Sequence, residues 1–162
     1  MKTLQIDEKK AKGLYENASP EFQAMLEDTF GKKFFKSIQD RIKSYEDACH
    51  ELGLDPEDLP EVDNCEPEDQ ASIIAFYKLT IIARALNEGW KPNWKDSSEY
   101  KWFPWFKVNR DAAGVGFSNA TTTAADANAD FGSRLCCKSD ELATYFGKYF
   151  ENLWSEYLLY NL

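Results

Sequence analysis

The sequence predicts an α+β domain with a helical N-terminal half, a small antiparallel sheet and a long C-terminal helix. Three observations carry that expectation. Helix-start signals alternate with apolar stretches and turns over residues 1–89, and apolar residues recur at three- and four-residue spacing from Ser139 to Tyr160. Eight aromatics lie between Trp90 and Phe117, where Pro92 and Pro104 stop any helix. The 162 residues, 43% of them hydrophobic, suffice for one core without disulfide or metal staples. One domain is therefore expected, with a helical part (1–89), an aromatic and strand part (90–138) and a closing helix (139–162).

In chain order, Asp7 caps a short helix reaching Tyr15. Ser19-Pro20-Glu21 starts a second, with a capping hydroxyl, a proline at the first helical position and an acid in the first turn. It is expected to bury Phe22, Met25, Leu26 and Phe30 and to end at Gly31. A third helix is read from Ile38 to Leu52, stopped at Gly53, and a turn-rich acidic connection follows. Pro67 to Glu88 is apolar on most sides, which marks a central helix. Tyr100 to Val108 reads as strand, as do Val115-Gly116-Phe117 and Phe131 to Lys138. Ser139 caps the closing helix, with Asp140 and Glu141 in its first turn.

Charge and cysteines narrow the function classes. Nineteen Lys and Arg against 28 Asp and Glu leave a net charge of −9. Nucleic acid and anionic membrane surfaces both require a basic face, so neither is expected as a partner. No stretch approaches the length of a membrane span, and MKTLQIDEKKAKG has no apolar run of the secretory kind. The chain is expected to be made in the cytoplasm, with association to a virion as a further expectation. Cys49, Cys65, Cys136 and Cys137 show no C-x-x-C spacing and read as reduced, mostly buried thiols.

The candidates for chemistry are few. His50, the one histidine, is adjacent to Cys49, and neighbours on a helix diverge by about 100°, so the two do not form a nucleophile–base pair. The eight carboxylates from Asp55 to Asp69 are interrupted by prolines and lack the glycine of a calcium loop. Gly114-Val115-Gly116 is too short to cradle a phosphate. No catalytic residue, metal or cofactor is expected. Trp90, Trp94, Trp102 and Trp105 have two readings, packing residues or an exposed platform for carbohydrate or protein.

Residues 118–130, SNATTTAADANAD, read as an exposed loop with no apolar side chain larger than alanine. Their alphabet is narrow. An Asn codon AAY varied only at its adenines, with a purine at the first base and A, C or G at the second, gives Asn, Ser, Thr, Asp, Ala and Gly. All 13 residues belong to that set, as do Asn109, Asp111, Ala112, Ala113 and Gly114.

LEDTFGKKFF, YEDACHELGLDPEDLP, SIIAFYKLTIIARALNEGWKPNW, YKWFPWF, GVGFS and GSRLC together resemble a group of small proteins, without an assigned activity, of Bacteroides-type gut bacteria and their phages. The segment between GVGFS and GSRLC is similar to the variable stretch of diversity-generating-retroelement variable proteins. That resemblance implies adenine-directed variation of a ligand-binding face, often on a C-type-lectin-like fold in a phage receptor-binding protein. The implied variable face is Asn109, Asp111, Ala112, Ala113 and Ser118 to Asp130, including Asn119, Thr121, Thr122, Thr123, Asp126 and Asn128. The implied scaffold is Trp105, Phe106, Phe117, Phe131, Arg134 and Leu135. The chain departs from that pattern in carrying a helix after the variable stretch and a long helical part before the aromatic one.

Two functions follow as expectations. One is a non-enzymatic phage or prophage module that displays the loop to a protein or carbohydrate ligand at a cell surface. The other is a virion structural or accessory protein, in which the loop is a spacer and the helices contact other subunits or further copies of the chain.

Overall fold

A computed structural model describes residues 7–108, 115–123 and 134–159. The architecture is α+β. Eight helices and a two-stranded antiparallel sheet are present among the described residues, and the chain falls into two compact units, Met1–Arg41 and Ile42–Leu162.

The N-terminal unit holds α1 (Glu8–Glu16), α2 (Pro20–Phe30), α3 (Lys32–Phe35) and α4 (Ile38–Arg41). Asp7 and Ser19 cap α1 and α2 as their sequence positions imply, and Gly31 ends α2 with a positive φ. Tyr15 stacks on Phe35, and Phe30, Phe34 and Phe35 pack ring on ring. The Tyr15 hydroxyl donates to Glu27, which also pairs with Lys36 at 2.7 Å; Lys36 first, then Tyr15, lowers the Glu27 carboxyl below its ordinary range. The expected burial of α2 is corrected: only Leu26 is buried, while Phe22, Met25 and Phe30 are exposed, Met25 at 52%. The short helices α1, α3 and α4 leave part of the apolar face of α2 uncovered.

The third expected helix is also corrected. It is two elements, α4 and α5 (Tyr45–Leu52), because the chain restarts at Ser44. The Ser44 hydroxyl accepts from the Asp47 N–H at 3.1 Å, and the Asp47 carboxylate accepts from the Lys43 N–H at 2.9 Å. Ser44 is thus the N-cap of a new helix, with Asp47 also tied to the residue before the cap, and this local start overrides an apolar pattern that runs through it. Gly53 closes α5 in the left-handed conformation.

In the second unit, α6 (Pro67–Leu86) packs against α5 and α8 (Glu151–Leu158), and its buried residues include Ala75, Leu79, Ile82 and Leu86. α7 (Asp140–Tyr149), capped by Ser139, packs on both strands of the sheet, and α8 also touches the second strand. The single closing helix expected from the sequence is thus broken at Phe150. The Trp154 indole N–H donates to the Phe146 carbonyl in the last turn of α7, so a carbonyl at the break keeps a partner.

The sheet pairs β1 (Lys101–Val108) with β2 (Val115–Thr123). The second strand extends six residues past the expected Val115–Phe117, so the first part of the segment read as loop is strand. Phe131 to Lys138 was the third expected strand. Residues 131–133 lie outside the described ones, and the rest is a turn with one bridge, Cys137 to Trp102. No described helix is long and apolar enough to cross a membrane.

Candidate functional site

β1 has strand character from its sequence, KWFPWFKV, but β2 is VGFSNATTT, whose small polar half has no apolar face of its own. Pairing with β1 supplies the apolar partner surface that this half lacks. Trp102 opposes Thr122, Phe103 opposes Thr121, Pro104 opposes Ala120 and Trp105 opposes Asn119. Phe106 then opposes Phe117, which leaves Ser118 as the extra residue of a bulge.

Two close approaches hold the sheet on the helices. A Cβ added to Gly147 of α7 would lie 2.3 Å from the Phe117 ring and 2.7 Å from Pro104 Cβ, so a hydrogen at this position is what admits the strands. The Glu151 carboxylate in the first turn of α8 accepts from the Phe117 N–H at 2.9 Å. Phe106 packs edge-on to Phe117 and tilted against Trp154, at 6.0 and 5.1 Å between centroids.

Trp102 has a chain neighbour on each side, and both of its backbone hydrogen-bonding groups face one of them. Its neighbour on one edge is Thr122 of β2; on the other, its N–H and C=O exchange hydrogen bonds with Cys137 at 3.0 and 2.8 Å. Asn87, buried at the end of α6, fixes the Cys137 side further. Its amide nitrogen donates to the Cys136 carbonyl at 2.7 Å, and its amide oxygen accepts from the Lys138 N–H at 2.9 Å. Lys138 also pairs with Glu88 at 3.1 Å. The chain is therefore held at Thr122 and again from Cys136 to Lys138, with Thr122 and Cys137 two strand spacings apart across Trp102, about 10 Å.

The expected face divides between several places. Asn119 and Thr122 are exposed, while Ser118 and Thr121 are half-buried. Strand alternation puts Asn119 and Thr122 on opposite faces, so β2 presents no single outward stripe. Thr123 ends the strand. Asn109, Asp111, Ala112, Ala113, Asp126, Asn128 and Asp130 lie outside the described residues. The two segments that contain them leave the ladder at opposite ends, beside Val108–Val115 and beside Lys101–Thr123, about 24 Å apart along the strand. Of the scaffold set, Leu135 is buried, Phe106 and Phe117 are half-buried, Trp105 and Arg134 are exposed, and Phe131 lies outside the described residues.

One cleft adjoins this frame. It measures about 200 Å³ and is lined by residues 103–106 of β1, Leu135, and Trp154, Tyr157 and Leu158 of α8. Trp105 forms its rim at 45% exposure, whereas Phe103 is 2% exposed. Trp105 thus fits the platform reading of the tryptophans, and Trp90, Trp94 and Trp102, all half-buried, fit packing. Sequence reasoning missed Phe103, Pro104, Trp154, Tyr157 and Leu158, because they converge from segments 50 residues apart. The periodicity of α8, which marks Trp154 and Leu158 as apolar-face residues, is the one available signal.

Other candidates stay apart. His50 is exposed and Cys49 buried on α5. Cys136 and Cys137 are both buried; burial raises the Cys136 thiol to about 11 and pushes Cys137 higher still. Among the described residues no group of three or more His, Cys, Asp or Glu is placed to hold a metal ion. Comparison of the chain with known protein families, with curated proteins and with solved structures finds no match.

Proposed function

We propose that the chain is a non-enzymatic phage or prophage protein that presents the segment between Thr123 and Arg134 to a protein or carbohydrate ligand at a cell surface. The observation that supports this reading is the double grip on Trp102, with Thr122 on one side and Cys137 on the other. A segment entering and leaving through two fixed points can change sequence at little cost, since loop-closure entropy depends weakly on what lies between. Residues 124–130, AADANAD, draw on Ala, Asp and Asn alone, an alphabet that adenine-directed variation would produce. Asn119 and Thr122 contribute exposed polar groups on β2, and the Trp105 cleft offers apolar surface.

A thermal-melt series tests the reading. Replacing Ala125, Asp126 and Asn128 with Tyr or Arg is expected to change stability by no more than about 0.5 kcal/mol, as surface changes do. Phe103→Ala, which empties a buried site, is expected to cost about 3–5 kcal/mol. Equal losses in the two sets would make the segment part of the packed fold and sink the display reading. At the level of DNA, a nearby template repeat that differs from this gene only at adenines, next to a reverse transcriptase gene, is the expected accompaniment.

A second reading, a virion structural or accessory role, is favoured by one observation, the exposed Leu14, Phe22, Met25 and Phe30 of the N-terminal unit. Apolar surface of that kind marks assembly contacts. Under it, the chain elutes from size exclusion as a concentration-dependent assembly that Phe22→Ser combined with Met25→Lys converts to monomer. A monomer at every concentration removes it.

A further inference from the structure

Lys101 begins β1, opposite Thr123, at the end of the ladder where the presented segment departs. Its side chain is fully buried. The ammonium lies 2.6 Å from the Glu99 carbonyl, 2.7 Å from that of Asn93 and 3.1 Å from that of Asp96. An ammonium has three donors, and three carbonyls meet them. The Glu99 carboxylate at 3.3 Å balances the charge, and the Trp94 ring faces it at 5.5 Å.

Lysine is almost never fully buried unless paired, because an unmet ammonium in the interior is very costly. Here the surroundings are shaped to it. Residues 95–99, KDSSE, have no apolar side chain with which to pack. They fold by turning carbonyls inward onto one cation, while polar side chains tie the outer rim. Glu99 accepts from the Asn93 N–H at 2.7 Å, and Asp96 accepts from the Ser98 N–H and hydroxyl at 2.8 and 2.6 Å. The arrangement is that of a metal-binding loop whose ion is covalently attached to a strand.

We propose that Lys101 is the positioning residue of the presentation site: its caged ammonium couples the Asn93–Glu99 loop to the start of β1 and thereby fixes the point where β2 releases the segment. The cage is a seat for a primary ammonium specifically. The inference rests on the display reading for the meaning of that release point, and the coupling itself is measured independently of it.

Hydrogen exchange on the full chain tests it. In Lys101→Met, which keeps the stem and removes the charge, the amides of residues 93–99 are expected to exchange at least ten-fold faster. Those of residues 117–122 are expected to accelerate with them, and those of α6 to stay unchanged. In Lys101→Ala, n-propylammonium replaces the deleted atoms and is expected to restore protection of both segments. Tetramethylammonium, which has no N–H, is expected to do nothing. Glu99→Gln, which leaves lysine and carbonyls in place, covers the case in which the Lys101 variants do not fold. It is expected to loosen residues 93–99 and 117–122 in the same proportion. Loosening of residues 93–99 alone, in any of these variants, overturns the coupling, and equal rescue by tetramethylammonium overturns the ammonium seat. Destabilising replacements at residues 125–128 would instead sink the display reading while leaving the coupling intact.

Discussion

Gly147 shows how a single missing methyl sets the distance between layers. The Phe117 ring and Pro104 occupy the space where a Cβ would stand, and neither is the free end of a flexible chain. Gly147→Ala is therefore expected to destabilise by about 1–3 kcal/mol, despite the better helix propensity of alanine, because overpacking outweighs it. Urea unfolding measures this; a stabilised variant would mean that the strands can withdraw freely. Asn87 is the comparable polar case, a buried amide whose oxygen and nitrogen both serve the chain around Cys137. Neither role is legible in the sequence. A glycine in an amphipathic helix and an asparagine at a helix end have ordinary local explanations, and only the partners 30 and 50 residues away reveal the others.

The caps of Asp7, Ser19 and Ser139 were legible because capping is local chemistry between a side chain and an amide three residues on. The breaks at Ser44 and Phe150 were less so, since apolar spacing continues across both, although Ser44 followed by Glu46 and Asp47 is a readable N-cap with acids in the first turn. The extent of β2 was hidden for the opposite reason: Ser118 to Thr123 have no alternating apolar residues, so the strand-favouring Thr121 to Thr123 carry no visible pattern until β1 pairs with them. The Asn93–Glu99 loop carries a pH prediction. Its carboxyls are held below the ordinary range, Asp96 mainly by the Ser98 hydroxyl and amide, Glu99 mainly by the Asn93 N–H. A lowered carboxyl stabilises the folded loop above the ordinary carboxylate value and ceases to do so as pH falls through the lowered one. Loop amides are thus expected to lose protection below about pH 4, before helical circular dichroism declines. Simultaneous loss of both signals would show that these carboxyls do not act locally.

At the scale of the molecule, the two compact units differ in charge. Residues 1–41 carry eight basic and seven acidic side chains, and residues 42–162 carry eleven and twenty-one. The second unit has a core of its own in α5 to α8 and the sheet. Residues 42–162 expressed alone are therefore expected to melt cooperatively, and more stably in added salt, which screens the excess of like charge. A molten product would show that the first unit completes the core. The double grip on Trp102 has one more consequence. Two fixed points about 10 Å apart match the closeness of the chain ends in many small domains. A whole guest protein spliced between Thr122 and Cys137 would enter and leave through points already held at that spacing, so this edge of the molecule is a socket.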